Sequence, residues 1–175
     1  MAGETVVSKQ FVILQRNVDG QTDWLMTLSE TEATEAVRTH QYALWHGGRL
    51  GYAFDVQLPN LVALRRFRLP QNGDRLYTAD PDEAERVRIQ GYVDEGIGAY
   101  IAPANSDGTV PLVRYLNFDQ GSHFYNASAR ETGNWSMDNG VYRKEGTIGY
   151  IWEHPTTLPR NSPNPLTRVS RNMGK

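Results

Sequence analysis

The sequence predicts an all-β fold with short helical inserts, arranged as a β-trefoil of three pseudo-threefold related units of about 48 residues. The first observation is that Tyr42, Tyr92 and Tyr142 follow one another at intervals of 50 residues. The second is that a glycine and a tyrosine recur later in each unit, within WHGGRLGY, DEGIGAY and KEGTIGY. The third is a turn followed by an apolar burst, written DGQTDWLMT, QNGDRLYTA and DQGSHFYNA.

The three units occupy residues 11–60, 61–109 and 110–157 of a single domain, 1–157. Each unit opens with a run of apolar residues typical of a strand, namely FVILQRN, LVALRRF and VPLVRYL. A turn rich in Gly, Asn and Asp follows, and then a second short strand that ends in Thr or Asn. This order predicts a β-hairpin at the start of every unit.

A helical insert follows the hairpin in the first two units. Ser29 with Glu32 three residues later forms a capping box, which is typical of a helix N-terminus. In the second unit Asp80 is the expected N-cap, and Pro81 suits the first helical position. The third insert, SARETGNWSMDNG, contains glycine and asparagine, so we expect its helix to be shorter or absent.

Each unit then closes with two strand-like pieces, such as GYVDEG and AYIAP in the second unit. Three units of four strands favour a closed trefoil over a propeller, which needs about four to eight blades. A β-rich domain with helices on one rim is the alternative. The recurrent apolar residues expected to fill the interior are Leu14, Phe54, Leu64, Ile101 and Leu112.

Residues 158–175 differ from the rest of the chain in composition. Between Pro155 and Lys175 lie four prolines and four basic residues but no acidic residue. Prolines at this density disfavour a helix or a central strand. We therefore expect a proline-rich, basic C-terminal tail that is ordered only where it docks.

Composition and charge exclude several classes of protein. The chain has 18 basic and 20 acidic residues, so its net charge of −2 gives no general attraction to nucleic acid. It has no cysteine, which excludes disulfides and thiolate metal sites. No apolar run is long enough to insert in a membrane, and the N-terminus lacks the pattern of a signal peptide. We expect a soluble protein that is cytoplasmic or released by a non-classical route, while secretion stays open.

The second and third units resemble a known family. The segments VPLVRYLNFDQGSHFYNASARET and VYRKEGTIGYI, with LRRFRLPQNGDRLYTADPDEAE and GYVDEGIGAYI, are similar to tandem repeats of unknown function found in bacteria and fungi. The resemblance covers residues 61–153 and extends to the first unit by extrapolation. Such repeats often stand beside secreted hydrolases and cell-wall enzymes. The resemblance implies a β-trefoil, lectin-like accessory module and therefore carbohydrate or cell-surface binding.

The family's pattern is only partly kept in this chain. The histidine of the hairpin stretch survives in the third unit as His123, while the second unit has Arg75 and the first has Trp24 at that position. The glutamate of the later turn is Glu95 or Glu145 in two units and His46 in the first. Any shared site is therefore least well defined in the first unit.

Sugar recognition needs an aromatic face beside groups that hydrogen-bond to hydroxyls. The hairpins and later turns supply such residues at corresponding places, although repeated aromatics also fit a symmetric core and the glutamates also fit a structural role in their turns. The candidate ligand-binding residues are Asp23, Trp24, His46, Asp74, Tyr77, Glu95, His123, Tyr125 and Glu145.

The sequence favours a binding module over an enzyme. No pair of carboxylates and no nucleophile with a positioned base breaks the threefold pattern. The four histidines lack the spacing of metal ligands, so we expect neither a metal nor a cofactor. The expected function is non-catalytic binding of cell-surface or cell-wall glycans. The alternative is a protease inhibitor or other protein-binding trefoil that uses surface loops such as 104–111.

Overall fold

The structure is a computed structural model and describes residues 3–127 and 141–161. Across these residues the chain is mostly β, as predicted, with eleven strands and two helices. The strands are β1 (Thr5–Val7), β2 (Lys9–Val18), β3 (Gln21–Thr27), β4 (Ala43–Ala53), β5 (Val62–Arg68), β6 (Arg75–Thr78), β7 (Val93–Ile101), β8 (Thr109–Asn117), β9 (Ser122–Ala127), β10 (Tyr142–Trp152) and β11 (Thr157–Pro159). The helices are α1 (Glu30–Thr39) and α2 (Pro81–Ile89).

The element order repeats in the way the sequence predicts. The first unit runs β2, β3, α1, β4 and the second runs β5, β6, α2, β7. The third contributes β8, β9 and β10, and its expected insert at 128–140 lies outside the described residues. In every unit the opening strand is central, because it pairs with the second strand on one side and the last strand on the other.

Both predicted helix N-termini are confirmed. The Ser29 side chain accepts a hydrogen bond from the backbone N–H of Glu32, and the Asp80 side chain accepts one from Asp82. Pro81 occupies the first turn of α2, where its missing N–H costs nothing. Each helix therefore begins with a capped turn that also places a glutamate in its third helical position, Glu32 in α1 and Glu83 in α2.

The last part of each unit differs from the prediction. The two expected strand pieces form one bulged strand, so a unit contributes three strands rather than four. In β10 the register with β8 shifts between Lys144 and Gly146 and again between Thr147 and Gly149. Gly146 has a φ of 135°, a conformation that glycine adopts without strain. A bulge bends and twists a strand without ending it. Its glycine resembles a turn residue, so the sequence alone predicts a turn at this point.

Single bridges join the last strands of the three units to one another. Tyr52 of β4 pairs with Trp152 of β10. Phe54 bridges Tyr100, and Ala102 bridges Tyr150. The three bridges link first to third, first to second and second to third unit, so the strand ends form a closed cycle.

The predicted interior residues lie in the core. Leu14, Phe54, Leu64, Ile101 and Leu112 all have 0% of their surface exposed. The hairpins of different units also meet in the interior through the hydroxyls of Tyr77 and Tyr125. Packing and hydrogen bonds therefore both hold the units together.

Two buried tyrosines connect the hairpins. The Tyr77 hydroxyl donates to the carbonyl of Met26 at 2.7 Å and accepts from its N–H at 2.8 Å. The Tyr125 hydroxyl donates to the carbonyl of Arg75 at 2.9 Å and accepts from the N–H of Tyr77 at 2.9 Å. Each hydroxyl thus satisfies backbone groups of the preceding unit that would otherwise be buried without a partner.

A two-stranded latch joins the two ends of the described domain. Strand β1 pairs antiparallel with β11, with Val6 opposite Leu158. The backbone N–H of Arg160 donates to the carbonyl of Glu4 at 2.8 Å. The first residues of the proposed tail, 158 and 159, therefore lie in a strand. Neither helix of the described residues is long and apolar enough to cross a membrane.

The Tyr77→Phe substitution tests the link between the first two hairpins. It removes only the hydroxyl and leaves the N–H and carbonyl of Met26 buried without partners, so we expect the free energy of unfolding to fall by about 1–3 kcal/mol. Urea denaturation measures it. Tyr52→Phe is the matched control, because half-buried Tyr52 makes no hydroxyl hydrogen bond to the described residues, and it should change stability little. Equal losses in both variants would contradict the assigned role.

Candidate functional site

The aromatic residues proposed for sugar stacking are in the core. Trp24 has 1% of its surface exposed, and Tyr77 and Tyr125 have none. Their ring faces pack against other side chains, with Trp24 4.6 Å from Phe124 and Tyr77 5.1 Å from Tyr125 between ring centroids. No sugar can reach these faces, so the stacking proposal is wrong for all three. The repeated aromatic position reflects the packing of a repeated core.

The residues at the junction of the first and second units form a charged cluster. The guanidinium of Arg66 in β5 makes two hydrogen bonds of 2.9 Å to the carboxylate of Glu32 in α1. Its Nε lies 2.9 Å from Glu95 Oε1 in β7. Glu95 Oε1 also accepts a 3.0 Å hydrogen bond from Arg75 Nε, and Arg75 in turn donates to the Tyr42 hydroxyl. Glu95, a predicted site residue, therefore links two arginines.

The junction of the second and third units repeats this arrangement. Arg114 in β8 makes two hydrogen bonds, of 2.9 and 2.6 Å, to Glu83 of α2. Its Nε donates to Glu145 Oε1 in β10 at 2.6 Å. Arg114 also donates to the Tyr77 carbonyl at 3.0 Å. In both junctions an arginine thus reaches back to the preceding helix and holds a glutamate of its own unit.

Sequence reasoning did not identify these arginines. Arg16, Arg66 and Arg114 occupy the same place in the three opening strands, two residues after a buried leucine. This periodicity was visible, but a basic residue on a strand is usually solvated. Among the described residues, Arg16 pairs instead with Asp23, 2.7 Å away. Asp23 is buried, and its Oδ1 has no hydrogen-bond partner in the described part of the chain.

In the second junction, His123 occupies the position that Arg75 has in the first. Its Nδ1 lies 2.6 Å from Asp74 Oδ2, and its Nε2 lies 3.3 Å from Glu145 Oε1. Asp74 is fully buried and also accepts hydrogen bonds from the His123 N–H and the Tyr92 hydroxyl. Three predicted site residues, Asp74, His123 and Glu145, thus lie in one chain of contacts.

The electrostatics of the second junction follow from these contacts. Burial lowers the pKa of His123, but the hydrogen bonds to Asp74 and Glu145 outweigh burial and raise this pKa to about 9. Burial raises the pKa of Glu145, but the hydrogen bond from His123 and the charge of Arg114 outweigh it and lower this pKa to about 2. At neutral pH the junction therefore contains an imidazolium at His123 beside an ionised Glu145 carboxylate.

A surface groove lies over each charged junction. The first groove has a volume of about 900 Å³ and lies between the start of β2, the start of α1 and the outer edge of β7. The second groove, of about 370 Å³, lies between the start of α2 and β10. The pairs of lining residues that correspond between the first and second grooves are Val12 and Val62, Thr27 and Thr78, Ser29 and Asp80, Glu32 and Glu83, Arg66 and Arg114, Glu95 and Glu145, and Ile97 and Thr147.

The second unit has the pair Arg75 and Glu95, and the third has His123 and Glu145. At the corresponding places the first unit has Trp24 and His46. Trp45 packs edge-on against Trp24, with ring centroids 4.9 Å apart, and its ring is 4.3 Å from that of His46. His46, a predicted site residue, is exposed and has a φ of 47°. Neither Trp24 nor His46 lines one of the two grooves.

The grooves are suited to binding hydroxyl groups. Burial raises the pKa of Glu32 and of Glu83, but the hydrogen bonds from Arg66 and Arg114 outweigh burial and hold both pKa values below the usual value, so these two carboxylates are ionised. An ionised carboxylate accepts hydrogen bonds but has no proton to give as a general acid. In the first groove the polar lining is completed by Lys9 and Asp55, which form an exposed ion pair of 2.6 Å at the rim.

One family model matches the chain, over residues 17–152, and its description is Domain of unknown function (DUF5648). No curated protein and no solved structure matches the chain.

His123 makes stability depend on pH in a defined direction. Its pKa of about 9 in the folded protein lies above its ordinary value of 6.5, so the stabilisation is complete below pH 6.5 and is lost as the pH rises through 9. We expect the free energy of unfolding to fall between pH 6.5 and 9.5, and this fall to be much smaller in His123→Gln. Denaturation in urea at several pH values measures it. His40→Gln, which changes an exposed histidine, should keep the wild-type slope. A slope unchanged in His123→Gln would show that this imidazole is not the titrating group.

Proposed function

The chain belongs to this family of unknown function, and from the geometry of its two junction grooves we propose that it is a non-catalytic carbohydrate-binding module for cell-surface or cell-wall glycans. The single observation that carries the proposal is that the same polar floor of one arginine and two glutamates underlies two corresponding grooves. A repeated groove suits a binder of repetitive polymers, because two weak sites on one chain add avidity where the polymer spans both.

The chemistry of the floor supports a hydroxyl-rich ligand. Arg66 and Arg114 hold the glutamates in place, so that carboxylate oxygens are oriented before a ligand arrives. Such preorganisation reduces the entropy lost on binding. Val12, Leu28 and Ile97 supply apolar surface in the first groove, which suits the C–H faces of a sugar ring.

The arginine–glutamate contacts of the two groove floors also support a non-catalytic function. Glu32 and Glu95 in the first groove, and Glu83 and Glu145 in the second, are engaged by arginine, and this paired state suits binding better than proton transfer. The proposal includes neither a metal nor a cofactor, and it places the protein at glycans rather than at nucleic acid or lipid. A protein partner that docks in the same grooves is the competing outcome of the test below.

The pseudo-threefold part of the β-trefoil prediction is retained as a proposal. Its support is the repeated order of elements and the three bridges between the last strands. On this proposal the third junction is related to the other two, but its described residues place Trp24 and His46 where the other junctions have Arg75 with Glu95 or His123 with Glu145. We therefore expect two glycan sites per chain.

The absence of cysteine allows each groove to be blocked chemically. Ile97→Cys places a thiol in the first groove and Thr147→Cys places one in the second; both positions are exposed. A glycan array with monosaccharides and cell-wall polysaccharides selects a glycan, and calorimetry then counts sites. We expect two sites before labelling with a polyethylene-glycol maleimide, one after labelling either variant, and none after labelling the double variant.

Two controls make this experiment decisive. Each unlabelled variant controls for its own substitution, and labelled Val93→Cys, on an exposed position outside both grooves, should keep two sites. Binding that survives labelling of the double variant would place the glycan elsewhere. A protein that binds no glycan on the array would overturn the proposed function and favour a protein partner.

A further inference from the structure

The two grooves differ at one position directly behind the floor. Arg75 stands behind Glu95 in the first groove, with Nε 3.0 Å from Glu95 Oε1. His123 stands behind Glu145 in the second groove, with Nε2 3.3 Å from Glu145 Oε1. The two residues occupy the same place in β6 and β9, two positions before the buried tyrosines Tyr77 and Tyr125. This position thus carries a permanent cation behind the first groove and a titratable cation behind the second.

We propose that glycan binding in the second groove is linked to the protonation of His123, whereas binding in the first groove is independent of pH over the same range. This inference rests on the proposed function and deepens it, because it assigns a regulatory residue to one of the two grooves. Glu145 connects His123 to the ligand site, because it lines the second groove and contacts His123.

The contacts determine which proton is lost. Asp74 Oδ2 is 2.6 Å from Nδ1, closer than Glu145 is to Nε2, so the remaining proton stays on Nδ1 when the imidazolium deprotonates. The bare Nε2 lone pair then faces an ionised oxygen of Glu145. Two acceptors at this distance repel each other, so Glu145 keeps the hydrogen bond from Arg114 but loses the attraction to His123, and its carboxylate is held less firmly in the groove wall. Binding therefore weakens as the pH rises.

Charged and titratable groups face His123 from every element packed against it. Asp74 and Tyr92 face it from the turn before β6 and from the segment before β7, while Arg114 and Glu145 face it from β8 and β10. Glu83 and Arg86 of α2 line the same surface pocket as His123. Burial and the neighbouring Asp74 charge raise the pKa of Tyr92 well above its usual value, so this hydroxyl stays neutral.

The first groove offers an internal comparison. Arg66 and Arg75 remain cationic throughout the range. The hydrogen bond to Asp55 raises the pKa of Lys9, so the rim cation also keeps its charge. Burial raises the pKa of Tyr42, which accepts from Arg75. The described residues that line this groove include no histidine.

The test isolates each groove with the maleimide label. Labelled Ile97→Cys leaves the second groove open, and labelled Thr147→Cys leaves the first. The probe is the neutral hexamer of N-acetylglucosamine, together with any neutral oligosaccharide selected by the array, and calorimetry is run from pH 7 to pH 10. We expect affinity in the second groove to fall by about threefold or more, the loss of roughly one weak hydrogen bond, and affinity in the first to stay constant.

Exchanging the two residues provides a second readout. His123→Arg should make the second groove independent of pH, and Arg75→His should make the first groove dependent on pH. An NMR titration of the His123 ring protons checks the imidazole directly, and circular dichroism checks that each variant is folded. If the two isolated grooves respond equally to pH, the inference is wrong while the proposed function stands. If neither groove binds any glycan at pH 7, the proposed function fails and this inference fails with it.

Discussion

A largely buried guanidinium must have hydrogen-bonding and charged partners, and this requirement joins neighbouring units of the fold. Arg66 and Arg114 point from an opening strand into a junction, where only 14% and 8% of their side-chain surfaces are exposed. Removing one partner from a buried ion pair costs about 3–5 kcal/mol, whereas the intact pair contributes little net stability. Each arginine therefore acts mainly on geometry. It holds the helix of one unit against the first and last strands of the next unit. These elements form the walls of the groove.

Much of the fold was predictable because its signals are local and repeated. Ser29 and Asp80 cap helices that need no tertiary information, and the spacing of Leu14, Leu64 and Leu112 indicates one buried position per unit. The bulges were not predictable in the same way. Gly146 is equally compatible with a turn between two strands and with a bend inside one strand, and only the pairing of β10 with β8 decides between them.

The candidate site was predicted in part. Glu95, Glu145, Asp74 and His123 do belong to the junctions, and the two glutamates were identifiable because they recur before a glycine at corresponding places of two units. Trp24, Tyr77 and Tyr125 were misassigned, since a repeated aromatic residue looks the same in a sequence whether its face is solvated or packed. The arginine partners join residues 31 and 34 positions apart, and a single sequence contains no signal for such pairings.

The latch between β1 and β11 also has a kinetic consequence. The hairpins and the unit sheets involve neighbouring segments, but the Glu4 and Arg160 side chains that pair beside the latch are 156 residues apart. Contacts between such distant segments are costly to form early, because the entropy of closing the loop must be lost first. We expect the latch to be absent from the folding transition state, so it slows unfolding without speeding folding. Stopped-flow kinetics of a variant with Pro in place of Val6 would measure this. The three units then assemble first, and the latch determines how long the assembled domain survives before it opens.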